Sequence, residues 1–138
     1  MNDYTIEHLP EINSLLVRLH GDIEADSIIE IYSKVLDHKR FKTNTNIIWN
    51  ALSASITGLS IADLKKAFNS VKKTETRRGR SCSAWILSRG ENYEAACLFK
   101  AAFASGLKIR YEVFNNVNEA KDWVQAIESR RIRDNSAI

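Results

Sequence analysis

The chain has 138 residues, 44% of them apolar and 27% charged, with a formal net charge of +3. That size and balance suit a single domain over residues 1–138, its core spanning about 4–130, with a real hydrophobic interior. No uninterrupted apolar run approaches the roughly 20 residues of a membrane span, and the opening MNDYTIEHLP lacks the basic and apolar stretches of a secretory leader, so a cytoplasmic location is expected.

Thr5–Leu9 and Leu15–His20 have the composition of two strands. Pro10-Glu-Ile-Asn13 between them is a turn signal, since proline presets φ and asparagine tolerates the left-handed region. The pair is expected to form an antiparallel hairpin, with Leu15, Val17 and Leu19 on one face. Gly21-Asp22 is expected to end the second strand. Ile28, Ile31, Tyr32, Val35 and Leu36 then repeat at helical spacing. Asp22 or Asp26 is the expected cap of that helix.

Asn46–Trp49 reads as a strand buried on both faces, as in a parallel sheet. A polar loop, Asn50–Leu59, is expected next. Ile61, Leu64, Phe68 and Val71 stripe the following helix, and Ser60 with Asp63 forms a capping box at its start. Cys82–Leu87 is the fourth strand. Glu91–Ser105 is the third helix, with Gly106 as its C′ residue. Lys108–Phe114 is the fifth strand. Ala120, Trp123, Val124 and Ile127 stripe a last helix, which is expected to fray after about Ile132. The order ββαβαβαβα predicts an α/β fold. It is a mixed five-stranded sheet, mostly parallel with an N-terminal antiparallel hairpin, and four helices.

Motifs for chemistry are scarce. Gly58-Leu-Ser60-Ile-Ala62 approaches a nucleophile elbow, but that serine must sit on a tight turn straight off a strand. All three histidines, His8, His20 and His38, also precede Ser60. His8 and His20 would approach each other if the hairpin paired them, yet a metal site needs further ligands, and none stands at ligand spacing. No GxGxxG follows a strand and no P-loop exists. Cys82 and Cys97 are too few for a disulfide framework and are expected to be buried free thiols. Trp49, Trp85 and Trp123 read as core residues. No catalytic residue, metal or cofactor is therefore expected.

Charge is uneven. Lys65, Lys66, Lys72, Lys73, Arg77, Arg78 and Arg80 stand against one acid, Glu75. The aromatic residue among them, Phe68, belongs to the apolar stripe and is not free to stack bases, so nucleic acid is not the expected partner and a solvated helix face is.

The runs IIWNALSASITGLSIADLKKAF, SAWILSRGENYEAACLF and YEVFNNVNEAKDWV resemble the STAS/SEC14-type domains, also called sporulation-protein-AA-like. The resemblance spans about residues 4 to 130 and rests mainly on core and cap positions. It implies a small non-enzymatic regulatory or protein-interaction domain of a bacterial cytoplasm. In the anti-sigma-factor antagonists of this fold, a serine opening the helix after this strand is phosphorylated, and the matching position is Ser60. The antagonists' Asp-Ser-Ser-Gly is replaced here by Gly58-Leu-Ser60-Ile, and the strand-ending Asp is Asn50. The SEC14 side of the resemblance implies instead a lipid or other small apolar ligand. Ligands of such sheets sit at the carboxyl ends of parallel strands. The expected working surface is therefore Asn50, Ser53, Thr57, Ser88 and Arg89 with Lys65 and Lys66 of the second helix. A protein partner or a homodimer through a helix face or the hairpin edge is expected.

Overall fold

A computed structural model describes residues 3–57 and 59–136. Five strands form one sheet in the order β1-β2-β3-β4-β5. They are β1 (Asp3–Leu9), β2 (Ser14–Glu24), β3 (Asn46–Thr57), β4 (Cys82–Ile86) and β5 (Arg110–Phe114). β1 and β2 pair antiparallel, and the remaining pairs are parallel. The helices are α1 (Ala25–Leu36), α2 (Ile61–Lys73), α3 (Glu75–Arg78), α4 (Glu91–Ala102) and α5 (Val117–Ser136). The expected class stands, with its antiparallel hairpin and otherwise parallel sheet. The single-turn α3 adds a fifth helix to the four expected.

Strand alternation splits the core in two. Leu15, Val17 and Leu19 of β2 with Ile47 and Trp49 of β3 pack against Ile31, Tyr32 and Val35 of α1 and Ala96 of α4. Leu16, Ile48, Cys82, Ala84 and Ile86 point the other way, onto Ala120 and Val124 of α5. The helices of the parallel crossovers thus cover one face, and α5 returns across the other.

Several boundaries differ from expectation for identifiable reasons. Gly21-Asp22 does not end β2. Gly21 takes φ 73, a conformation open to glycine, and the strand continues to Glu24 with Gly21 opposite Ala54 and Ile23 opposite Ile56. Asn50–Thr57 is accordingly strand and not loop. One extra residue hides its pattern. Arg18 stands opposite Asn50 but His20 stands opposite Ser53, so β3 carries a bulge there. The Asn50 side-chain oxygen accepts from the Leu52 N–H at 3.1 Å inside it. Before the bulge Trp49 and Ala51 face the helices, and after it Ala54 and Ile56 do.

The N-cap of α1 is Glu24, with no side-chain cap bond, so neither Asp22 nor Asp26 caps it. The Ser60–Asp63 capping box is present. Ile61 is 67% exposed and lies off the apolar stripe of α2. α4 ends at Ala102, and Gly106 falls in a 3-10 turn, Ala104–Gly106, and not at a left-handed C′. There a side chain would press on the Phe68 ring. α5 does not fray at Ile132 but runs to Ser136, with Asp134 paired to Arg80 at 3.1 Å. No described helix is long and apolar enough to cross a membrane.

Candidate functional site

Between the sheet and helices α1, α2 and α4 lies a partly open cavity of about 110 Å3. Its lining is almost wholly apolar: Ile28 and Tyr32 from α1, Trp49 and Ile56 from β3, Leu64 and Val71 from α2, Trp85 from β4, and Phe99 from α4. The Trp49 and Trp85 rings stack with centroids 4.7 Å apart and planes 6° apart, which parallel pairing of the two residues imposes. Phe99 and Tyr111 meet at 4.9 Å. Burial pushes the Tyr111 hydroxyl well above the ordinary phenol range.

One cation lines this cavity. Arg78 is fully buried. Its backbone is pinned, since the N–H donates to Thr74 O at 2.9 Å and the carbonyl accepts from Asn44 N at 3.0 Å. Gly79 follows at φ 65, where any Cβ would fall 2.4 Å from the Asn44 side-chain oxygen. The side chain points inward. Nη2 donates to Cys82 O and Ser83 Oγ, each at 3.0 Å, and the guanidinium carbon stands 5.9 Å from the centre of the Tyr32 ring. Nε and Nη1 have no partner among the described residues. Asp63, the acid of the lining, is engaged elsewhere: Ser60 Oγ donates to its carboxylate at 2.7 Å. That bond and the one from Ser60 N hold the Asp63 carboxyl below its ordinary range.

A second, more polar cleft of about 550 Å3 opens at the carboxyl ends of β3 and β4, between Thr57 and the turn Ser88-Arg89-Gly90. β3 outruns β4 here, leaving a free edge. Asn92 closes it: its side-chain oxygen accepts from Ile56 N at 2.9 Å and its amide donates to Ile56 O at 2.8 Å. One side chain thus replaces a strand neighbour.

No family model matches the chain, and no curated protein matches it. Solved structures do. An uncharacterized protein of the DUF3478 family with a SpoIIAA-like fold, from Shewanella loihica PV-4, is 12% identical with a TM-score of 0.55, over 89% of this chain and 93% of that one. The Bacillus cell fate determinant SpoIIAA in its phosphorylated form is 16% identical with a TM-score of 0.50, over 88% and 99% of the two chains. The fold is SpoIIAA-like.

On this SpoIIAA-like frame the expected surface residues divide. Thr57, Ser88 and Arg89 come together in the polar cleft, with the Arg89 guanidinium 5.2 Å from the Tyr93 ring centre. Asn50 and Ser53 do not join them; Asn50 serves the bulge, and exposed Ser53 stands opposite His20. Lys65 and Lys66 lie exposed on α2, and Lys66 reaches Asp26 at 3.7 Å. Ser60 is exposed, with its hydroxyl engaged in the capping box. His8 and His20 lie at opposite ends of the hairpin, opposite Leu15 and Asp3. Among the described residues no His, Cys, Asp and Glu cluster could hold a metal.

Cys82 is buried as expected, its thiol pushed up to about 12 by burial. Cys97 is exposed, because it falls on the solvent side of α4. Sequence reasoning missed Arg78, which it counted with the solvated cations of its run. It also treated the two stacked tryptophans as filler, whereas both line the cavity.

Proposed function

We propose that this chain is a non-enzymatic, STAS-type regulatory domain whose effector is a small apolar molecule held between the sheet and α1, α2 and α4. The observation that carries the reading is the apolar, aromatic cavity of about 110 Å3. Packed interiors hold few voids larger than a water molecule. An apolar cavity of about 150 Å3 stays dry and takes up benzene. The space here suits a body of at most about one small ring on the same scale. A long lipid chain would have to project out of it. Such an occupant would touch α1 and α2 together and so act on the surfaces those helices present to a partner.

The test is toluene binding by the full chain, followed by methyl and indole NMR. Expected are saturable shifts confined to residues such as Leu64, Val71, Trp49 and Trp85, and their loss in Ala67→Phe, which fills the cavity. No shift at saturating toluene in the folded protein would remove the reading.

A second reading, protein docking around Ser60, is favoured by the exposed apolar side chain of Ile61 beside it and by the cations Lys65 and Lys66 one turn on. The similar Bacillus protein has a phosphorylated form. A phosphate on Ser60 here would meet the Asp63 carboxylate and open the capping box. Mass spectrometry of protein from its native cells decides it: phosphate mapped to Ser60 supports this reading, and a bare Ser60 under all growth conditions removes it.

A further inference from the structure

The cavity is apolar, but its lining carries two charged side chains, Arg78 and Asp63. A guanidinium is a permanent cation at neutral pH, and buried charges in proteins are paired or hydrogen-bonded. Arg78 meets that rule through Nη2 alone. It is fully buried, lines the cavity, and leaves the donors of Nε and Nη1 without partners among the described residues. Asp63 of the lining is bonded to Ser60, and Glu75 of the same short helix is paired with Lys72. Its neighbours in the run, Arg77 and Arg80, are exposed and paired with Asp37 and Asp134.

We propose that Arg78 is the anchor for an anionic ligand, and that the cavity takes a small aromatic or short-chain carboxylate. The inference rests on the apolar-ligand reading and narrows it. Two features select the class. The aromatic walls accept a flat or short apolar body. The buried guanidinium, bonded only to neutral oxygens, calls for a single negative group. A phosphate dianion would bury a second, uncompensated charge against those walls, so a monoanionic carboxylate fits better. A turn of the guanidinium, whose Nε and Nη1 are closed off from solvent, would bring the unused N–H groups to the carboxylate oxygens. The Tyr32 and Trp rings would hold the body.

Benzoate, its neutral isostere benzamide, and toluene are the probes, titrated separately into the full chain by calorimetry and tryptophan fluorescence. Benzoate is expected to bind about tenfold or more tightly than benzamide, the scale of a hydrogen bond to a charged group. Arg78→Met is expected to erase that ratio while keeping toluene, and Arg78→Lys to retain part of it. Should Arg78→Met not fold, the benzoate-to-benzamide ratio of the unaltered protein still decides. Equal binding of the two, or tighter benzamide, overturns the anchor and leaves the apolar reading intact if toluene binds. Binding of none of the three overturns both.

Discussion

Two ionisable side chains are buried on opposite faces of the same sheet, and their surroundings differ. On the α5 face, Glu128 is 6% exposed. One of its oxygens accepts from Asn13, Asn46 and Arg131 at 3.5, 3.2 and 3.2 Å, and the other from Arg131 at 2.5 Å. Asn46 in turn donates to Ile12 O and accepts from Cys82 N. Every member has a partner, and the network ties β1–β2, β3, β4 and α5 at the amino ends of the parallel strands. On the other face, Arg78 is bonded through one nitrogen and leaves two unused. A satisfied buried network stabilises one arrangement. An unsatisfied charge beside a cavity costs stability, and a ligand can recover that cost. The first is the profile of a structural residue and the second that of a binding residue.

The largest effect should come from breaking the satisfied side. Glu128→Leu leaves Arg131, Asn46 and Asn13 without their acceptor and is expected to cost about 3–5 kcal/mol in urea denaturation, the scale for removing one partner of a buried pair. A loss below about 1 kcal/mol, the scale of exposed pairs, would mean the network is ornamental. Its pH signature follows. Burial pushes the Glu128 carboxyl up, but the bonds from Arg131, Asn46 and Asn13 outweigh it and hold it below its ordinary 4.5. A depressed carboxylate contributes stability that is complete above the unfolded value and is lost as pH falls through the folded one. Acid titration of stability should therefore be flatter for Glu128→Gln below pH 4.5, and parallel curves would remove the assignment.

A lesser effect tests the cavity wall. Asn92→Ala strips both bonds from Ile56 and reopens the edge of β3. About 1–2 kcal/mol should be lost, as for two ordinary hydrogen bonds, with faster amide exchange confined to the Ser53–Thr57 half of the strand. Exchange that speeds equally across β3 would place the edge closure elsewhere. Ser60→Ala, removing the capping box, is expected to cost about 1 kcal/mol and to leave toluene binding unchanged, since Ser60 does not line the cavity.

The legibility of these features in the sequence tracks their range. The capping box lies within four residues, and the Ile47-Ile48-Trp49 run declares a buried strand by itself. The β2 and β3 extensions were hidden because Gly21-Asp22 carries the composition of a turn. The bulge at Asn50–Ser53 also shifts the alternation of Ala54 and Ile56 by one. Arg78 had no local signal at all. α3 is one turn long, too short for a periodicity to tell Arg78 from Arg77, and the groups that receive Arg78, Cys82 O and Ser83 Oγ, are brought to it by β4. The cavity draws its lining from α1, β3, α2, β4 and α4, so it exists only after tertiary packing.

The smallest effect should come from the unsatisfied side, and it bears most on the contrast. Arg78→Met gives up the bonds to Cys82 O and Ser83 Oγ and the contact over Tyr32. It also removes a buried charge that no carboxylate balances, and it keeps an unbranched side chain of similar reach. Replacing buried charges by apolar groups of similar volume is often neutral or stabilising. Stability without ligand is therefore expected to change by less than about 1 kcal/mol, against the several lost at Glu128. Ligand should reverse the order: the same concentration of benzoate should raise the melting temperature of the unaltered protein more than that of Arg78→Met, because only binding to the folded state stabilises it. A loss above about 3 kcal/mol in the absence of ligand would instead make Arg78 a structural partner of β4, as Glu128 is of α5. The two faces would then be alike, and the cavity would have no anchor.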